Sequence, residues 1–110
     1  MLENKSCIPC QRGGPTIDIE EAKMLLKEIP QWEIFDNDTK IKRKYTLNSF
    51  VSAMNFSVSV GELCETTGHH ADITFGWGYC EVQFYTHKIK GLHENDFIMA
   101  AKTDAIFNLL

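Results

Sequence analysis

Three shortages bound this chain before any motif is considered. Positive charge is short: 11 Lys and Arg against 15 Asp and Glu leave a formal net charge of −4, which excludes the electrostatic footprint of a nucleic-acid binder. The stretch from Lys40 to Lys44 does not change this, because Lys40, Lys42 and Lys44 alternate with Ile41, Arg43 and Tyr45 as the solvated face of a strand would. No apolar run approaches the ~20 residues that span a bilayer, and Met1 to Ser6 do not read as a secretory leader. No membrane role is expected, and the expected compartment is the cytoplasm. Cysteines are also too few and too scattered for a disulfide framework. Cys64 and Cys80 fall in a predicted helix and on the apolar face of a predicted hairpin, where thiols behave as small hydrophobes. Cys7-Ile8-Pro9-Cys10 is a lone CxxC, without the second pair of a zinc ribbon or the strand and helix of a thioredoxin-type site.

What remains, 110 residues of which 44% are apolar, suffices for one compact domain and not for a second core. The domain is expected over residues 18–110, preceded by a flexible tail over 1–17. Asp18 caps a first helix with Glu21 three residues on, and Ala22, Leu25, Leu26 and Ile29 repeat at helical spacing until Pro30. Trp32 to Phe35 and Lys40 to Thr46 flank the polar turn Asp36-Asn37-Asp38, a first hairpin. A long helix opens at Thr46 or Asn48 and runs to about Thr66. It carries one stripe of Leu47, Phe50, Val51, Met54 and Val58 and another of Ala53, Phe56, Val60 and Leu63, and Gly68 ends it. A second hairpin follows, and His93 to Asp96 starts a last helix along Ile98, Ala101, Ala105 and Leu109. The order αββαββα predicts an α+β domain, a four-stranded antiparallel sheet with helices packed on one face.

The second hairpin carries the chemistry. Ala71, Ile73 and Phe75 alternate with Asp72 and Thr74; Cys80, Val82 and Phe84 alternate with Glu81, Gln83 and Tyr85; Gly76-Trp77-Gly78-Tyr79 turns between them. With Trp77 and Gly78 central, residue 75 opposes 80 and 73 opposes 82, so one face is uniformly apolar and the other polar. By the same parity His70 and His87 project from the polar side at the open end of the hairpin and form the stronger pair. His69 faces the other way if the strand extends that far.

Imidazole gives and takes protons near neutrality, and a positioned acid or base contributes about 10²- to 10⁴-fold in rate. Several histidines with Glu65 around one pocket suit dehydration, one group protonating a leaving hydroxyl while another takes a proton from the atom that expels it. Zinc is the rival occupant of a histidine cluster. Neighbours in a strand point to opposite faces, which argues against His69 and His70 sharing one ion, so no metal is expected. Tyr85 and Trp77 are candidate aromatic walls for a flat substrate.

The tract Glu65-Thr66-Thr67-Gly68-His69-His70, with Thr86-His87, Gly91-Leu92 and Asp96 beyond it, resembles the signature of the pterin-4a-carbinolamine dehydratases. The similarity extends through Ile29-Pro30-Gln31-Trp32 and the spacing of Leu47, Phe50, Ala53 and Phe56, and covers the chain from about Asp18 onward. Ala71 stands where the family usually has Pro, and Ile73 where animal members often carry Trp. The resemblance implies loss of water from a 4a-hydroxytetrahydropterin to give the quinonoid dihydropterin, in support of tetrahydropterin recycling after aromatic amino acid hydroxylation, without a cofactor. It implies catalytic roles for His69, His70, His87 and Glu65, and substrate binding at Trp77, Tyr85, Asp72 and Asp96. It further implies a homodimer or homotetramer, in agreement with surplus apolar surface on the long helix and on the last helix at Phe97, Ile98, Met99, Ile106, Phe107 and Leu110. A functional link to an aromatic amino acid hydroxylase is part of the same expectation. The alternatives are a dimerisation cofactor for a transcription factor, a role that animal relatives also serve, and a dehydratase of a different pterin.

Overall fold

The computed structural model describes residues 1–6, 16–86 and 91–110; the Cys7–Cys10 motif lies outside them. In chain order the elements are α1 (Ile19–Leu26), β1 (Glu33–Phe35), β2 (Lys40–Thr46), α2 (Phe50–Thr67), β3 (Asp72–Gly76), β4 (Tyr79–Phe84) and α3 (Glu94–Asn108), preceded by a 3-10 turn over Leu2–Asn4. The strands form one antiparallel sheet in the order β1-β2-β4-β3, with α2 and α3 packed on one side of it. This is the α+β arrangement that the alternating hairpins and helices predict. Among the described residues no helix is long and apolar enough to cross a membrane.

Local chemistry sets the ends of the elements. The Asp18 carboxylate accepts from the Glu21 amide at 2.8 Å and caps α1. That helix closes at Leu26, short of Pro30, because its last turn tightens: Glu28 N–H reaches Leu25 and Ile29 N–H reaches Leu26, three residues back. Ser49, rather than Asn48 or Thr46, caps α2 by accepting from the Ser52 amide at 3.1 Å. At the other end Gly68 takes the left-handed conformation, φ 75°, and its N–H bonds the Cys64 carbonyl. In the first hairpin Asp36, Asn37 and Asp38 all have positive φ, a conformation that short polar side chains tolerate best after glycine.

The second hairpin pairs as its alternation dictates. Phe75 opposes Cys80, Ile73 opposes Val82 and Asp72 opposes Gln83. On β2, Ile41, Arg43 and Tyr45 oppose Phe84, Val82 and Cys80. Ile41, Tyr45, Cys80, Val82 and Phe84 are buried under Phe56, Val60 and Cys64 of α2 and Phe97 to Ala101 of α3, each large apolar side chain contributing about 1.5–3 kcal/mol. Arg43 enters this layer because Asp104 of α3 meets it. One carboxylate oxygen of Asp104 accepts from Trp32 Nε1 at 2.9 Å, the Arg43 guanidinium at 2.7 Å and the Tyr45 hydroxyl at 2.5 Å.

One expectation about surfaces changes. Leu2 is buried, its amide bonds Glu28, and the Glu3 carbonyl accepts from Lys102 of α3. This turn covers a side of α3 that the sheet leaves open, so Phe97, Ile98 and Met99 are all buried and do not form a surplus apolar face. The surplus lies on α2, where Phe50, Val51, Met54 and Val58 are exposed while the adjoining stripe of Ala53, Phe56 and Val60 is buried.

Candidate active site

The junction between α2 and β3 places two consecutive histidines on different partners. Gly68 turns the chain out of α2 and β3 begins only at Asp72, so His69, His70 and Ala71 lie in the connection between them. His69 turns inward. It is 9% exposed, lies nearly parallel to the ring of Phe84 at 6.1 Å, and its Nε2 meets Asp96 Oδ1 at 2.7 Å. A carboxylate oxygen offers only lone pairs, so Nε2 carries the hydrogen, and in the neutral ring the lone pair is on Nδ1. His70 turns outward to the end of α2, its Nε2 2.5 Å from Glu65 Oε2 with both side chains in water. Each histidine is therefore paired with its own carboxylate, one pair buried and one exposed. An exposed pair adds little to stability, so the His70–Glu65 contact matters for how the imidazole is held.

Asp96 is the most constrained group of the site. It is 0% exposed and sits in the first turn of α3, where the helix dipole favours an anion. Its second oxygen accepts from the His93 amide at 2.9 Å and from the Thr86 hydroxyl at 2.9 Å. All of its accessible directions are occupied by protein. Asp96, expected at the substrate, is placed by the fold against His69, Thr86 and the His93 amide. Carrying the hairpin register two and three pairs beyond Asp72–Gln83 puts Tyr85 across from His70 and Thr86 across from His69. That explains why Thr86 and His69 converge on one carboxylate.

The other expected residues divide. Asp72 and Tyr85 lie beside each other on the open face of the sheet. Burial and the neighbouring Asp72 carboxylate push the Tyr85 hydroxyl above its ordinary value, and Lys40 lies over the Tyr85 ring at 4.6 Å. Trp77 belongs elsewhere. It is 72% exposed at the tip of the hairpin, and a strand rise of about 3.3 Å per residue separates it from His70 by on the order of 20 Å within one chain. His87 lies outside the described residues. Among the described residues no three His, Cys, Asp or Glu side chains converge as metal ligands.

Thr86 and His93 were not singled out by sequence as parts of the site. Their signal was present in the spacing His93-x-x-Asp96, which is that of a capping box: His93 Nδ1 accepts from the Asn95 amide at 3.0 Å, and Asp96 reaches back to the His93 amide.

A chain comparison decides the family. Residues 15–106 match the model of the family described as pterin 4 alpha carbinolamine dehydratase. The chain belongs to the pterin-4-alpha-carbinolamine dehydratase family. A relative from Methylococcus capsulatus, named "Putative pterin-4-alpha-carbinolamine dehydratase", is 56% identical over 105 residues that cover 96% of this chain and 92% of the relative. One of the same name from Azoarcus sp. is 50% identical, covering 96% of this chain and 90% of the relative. Among solved structures, a transcriptional coactivator/pterin dehydratase from Brucella melitensis superposes with a TM-score of 0.78 at 25% identity, over 84% of this chain and 98% of that one. In this member of the dehydratase family, His69 and His70 occupy the helix-to-strand junction between α2 and β3.

Proposed function

We propose that this chain is a 4a-hydroxytetrahydropterin dehydratase working by histidine acid and base catalysis. The observation that carries the reading is the His69–Asp96 pair at 2.7 Å, buried beside a second, exposed His70–Glu65 pair, in a chain of the dehydratase family. In the reaction the substrate loses its 4a-hydroxyl as water and its N5 proton; the N5–H bonding pair becomes the N5=C4a double bond of the quinonoid dihydropterin. One group must take the N5 proton and another must protonate the hydroxyl. His69, held by Asp96 with Nδ1 unprotonated, is equipped as a base, and His70 or His87 supplies the other proton. Asp72 and Tyr85 offer polar contacts to the pterin from the open sheet face. The product would feed tetrahydropterin recycling behind an aromatic amino acid hydroxylase.

We assign the exposed α2 stripe to contact between copies of this chain. Phe50, Val51, Met54 and Val58 are contiguous with Phe75 on β3, an edge strand, and the Phe50 and Phe75 rings lie 5.5 Å apart. A homodimer or homotetramer follows. The decisive test is stopped-flow dehydration of freshly generated 4a-hydroxytetrahydropterin. Wild type is expected to outrun buffer, with His69→Ala, His70→Ala and His87→Ala each losing about 10²- to 10⁴-fold. Turnover by wild type no faster than buffer sinks the enzyme reading.

A further inference from the structure

The residue that caps α3 is a histidine. N-caps are usually Ser, Thr, Asp or Asn, side chains that remain acceptors through the neutral range. Here the acceptor is the imidazole Nδ1 of His93, 3.0 Å from the Asn95 amide, with His93 itself 9% exposed and in extended backbone at φ −126° and ψ 159°. A backbone N–H can only donate, so Nδ1 holds a lone pair and the ring in this arrangement is neutral with its hydrogen on Nε2. The same residue presents its own N–H to Asp96 Oδ2 at 2.9 Å, and the other oxygen of Asp96 holds His69. His93 is therefore tied to the first turn of α3 at both of its ends, and His69 hangs from that turn through one carboxylate.

We propose that His93 is a titratable positioning residue of the dehydratase site: by capping α3 it fixes Asp96, and through Asp96 the ring of His69. The activity part of this inference rests on the dehydratase reading; the positioning part does not. Adding a proton to Nδ1 turns the cap from acceptor to donor, facing an N–H that can only donate. The cap bond is then lost, the first turn is free to fray, and the position of the Asp96 carboxylate is no longer defined by it. Among the described residues the charged and titratable neighbours are Asp96 and Glu94 on α3, Lys5 paired with Glu94 at 3.0 Å, and His69 across the carboxylate; Thr86 is neutral. A displacement of about 1 Å at a positioned group can cost on the order of 10²-fold in rate.

The test compares wild type with His93→Ala, which has no cap, and His93→Ser, whose cap does not titrate. Dehydration rates are measured between about pH 8 and pH 5, the range over which imidazoles change charge, and ¹⁵N NMR of the His69 ring is recorded alongside. Expected results are a loss of roughly tenfold to 10²-fold in kcat for His93→Ala, with the His69 Nε2–H signal broadened or lost. His93→Ser should recover both at pH 8 and keep the His69 Nε2–H signal at acid pH, where wild type loses it; the rate itself falls on acidification in every variant as the histidine base is protonated. The proposal is overturned if His93→Ala leaves the His69 signals unchanged, or if His93→Ser loses them on acidification in step with wild type. Should His93→Ala fail to fold, the comparison of His93→Ser with wild type decides alone. If no protein turns over substrate, the dehydratase reading fails while the NMR result still decides the role of His93.

Discussion

Asp96→Asn separates the placing of His69 from the mere filling of space beside it. The substitution preserves shape, so its effect follows from which atom goes where. Both partners of Asp96 Oδ2, the His93 amide and the Thr86 hydroxyl, donate. The amide oxygen of the asparagine must therefore take that position, which leaves its NH₂ group at the place of Oδ1, 2.7 Å from His69 Nε2. Two donors cannot share a hydrogen bond, so His69 must shift its hydrogen to Nδ1, and the lone pair assigned to the N5 proton disappears. In stability a charge-assisted bond becomes a neutral one, a loss of about 1–2 kcal/mol. In catalysis an entire base is withdrawn, about 10²- to 10⁴-fold or roughly 3–5 kcal/mol of barrier. Activity should thus fall by far more than stability. Stopped-flow dehydration gives the first quantity and urea denaturation the second. A variant that turns over within about threefold of wild type would show that the tautomer of His69 does not control the reaction.

Two further outcomes follow from the fold. Burial first, and then the charge and hydrogen bond of Asp104, push the Tyr45 hydroxyl far above its ordinary value of 10.0. Because the folded state holds this proton after the unfolded chain has released it, the associated stability is complete below pH 10.0 and declines above it, by up to about 1.4 kcal/mol per pH unit; alkaline urea titrations should show a shallower decline for Tyr45→Phe, and identical slopes would contradict the assignment. Gly68→Ala places a methyl group where no atom lies within 4 Å, so its cost is that of the left-handed backbone alone, about 1 kcal/mol or roughly 5 °C in Tm by calorimetry. No measurable loss there would mean that the junction ahead of His69 relaxes.

The hairpin register was legible in the sequence because a half-buried strand leaves only one pairing that keeps Ile73, Phe75, Cys80, Val82 and Phe84 on the same side. The end of α2 was legible because Gly68 is suited to a left-handed stop. The parity argument also sent His69 to the inner side, where it meets Phe84 and Asp96. It said less of His70, which lies ahead of β3 and bonds a helix carboxylate rather than a strand neighbour. What escaped reading is long-range. Asp104 meets Trp32, Arg43 and Tyr45 across 59 to 72 positions of sequence, and Leu2 meets Glu28 across 26. No local period encodes such contacts. The distance of Trp77 from the histidines has another origin: it is near them in sequence order, but an extended strand converts few residues into a long distance.

The two histidine pairs also act as fasteners. His69 ties the start of β3 to the head of α3, His70 ties the same three-residue link to the tail of α2, and one peptide bond joins the two ties. Many enzymes become sturdier when a strained functional group is replaced, since chemistry and cohesion compete for the same positions. Here they coincide at Asp96, whose truncation would strand a buried amide, a hydroxyl and an imidazole together. Losing that carboxylate would require another way to close the space between helix and sheet, so Asp96 answers to the architecture as well as to the ring it holds.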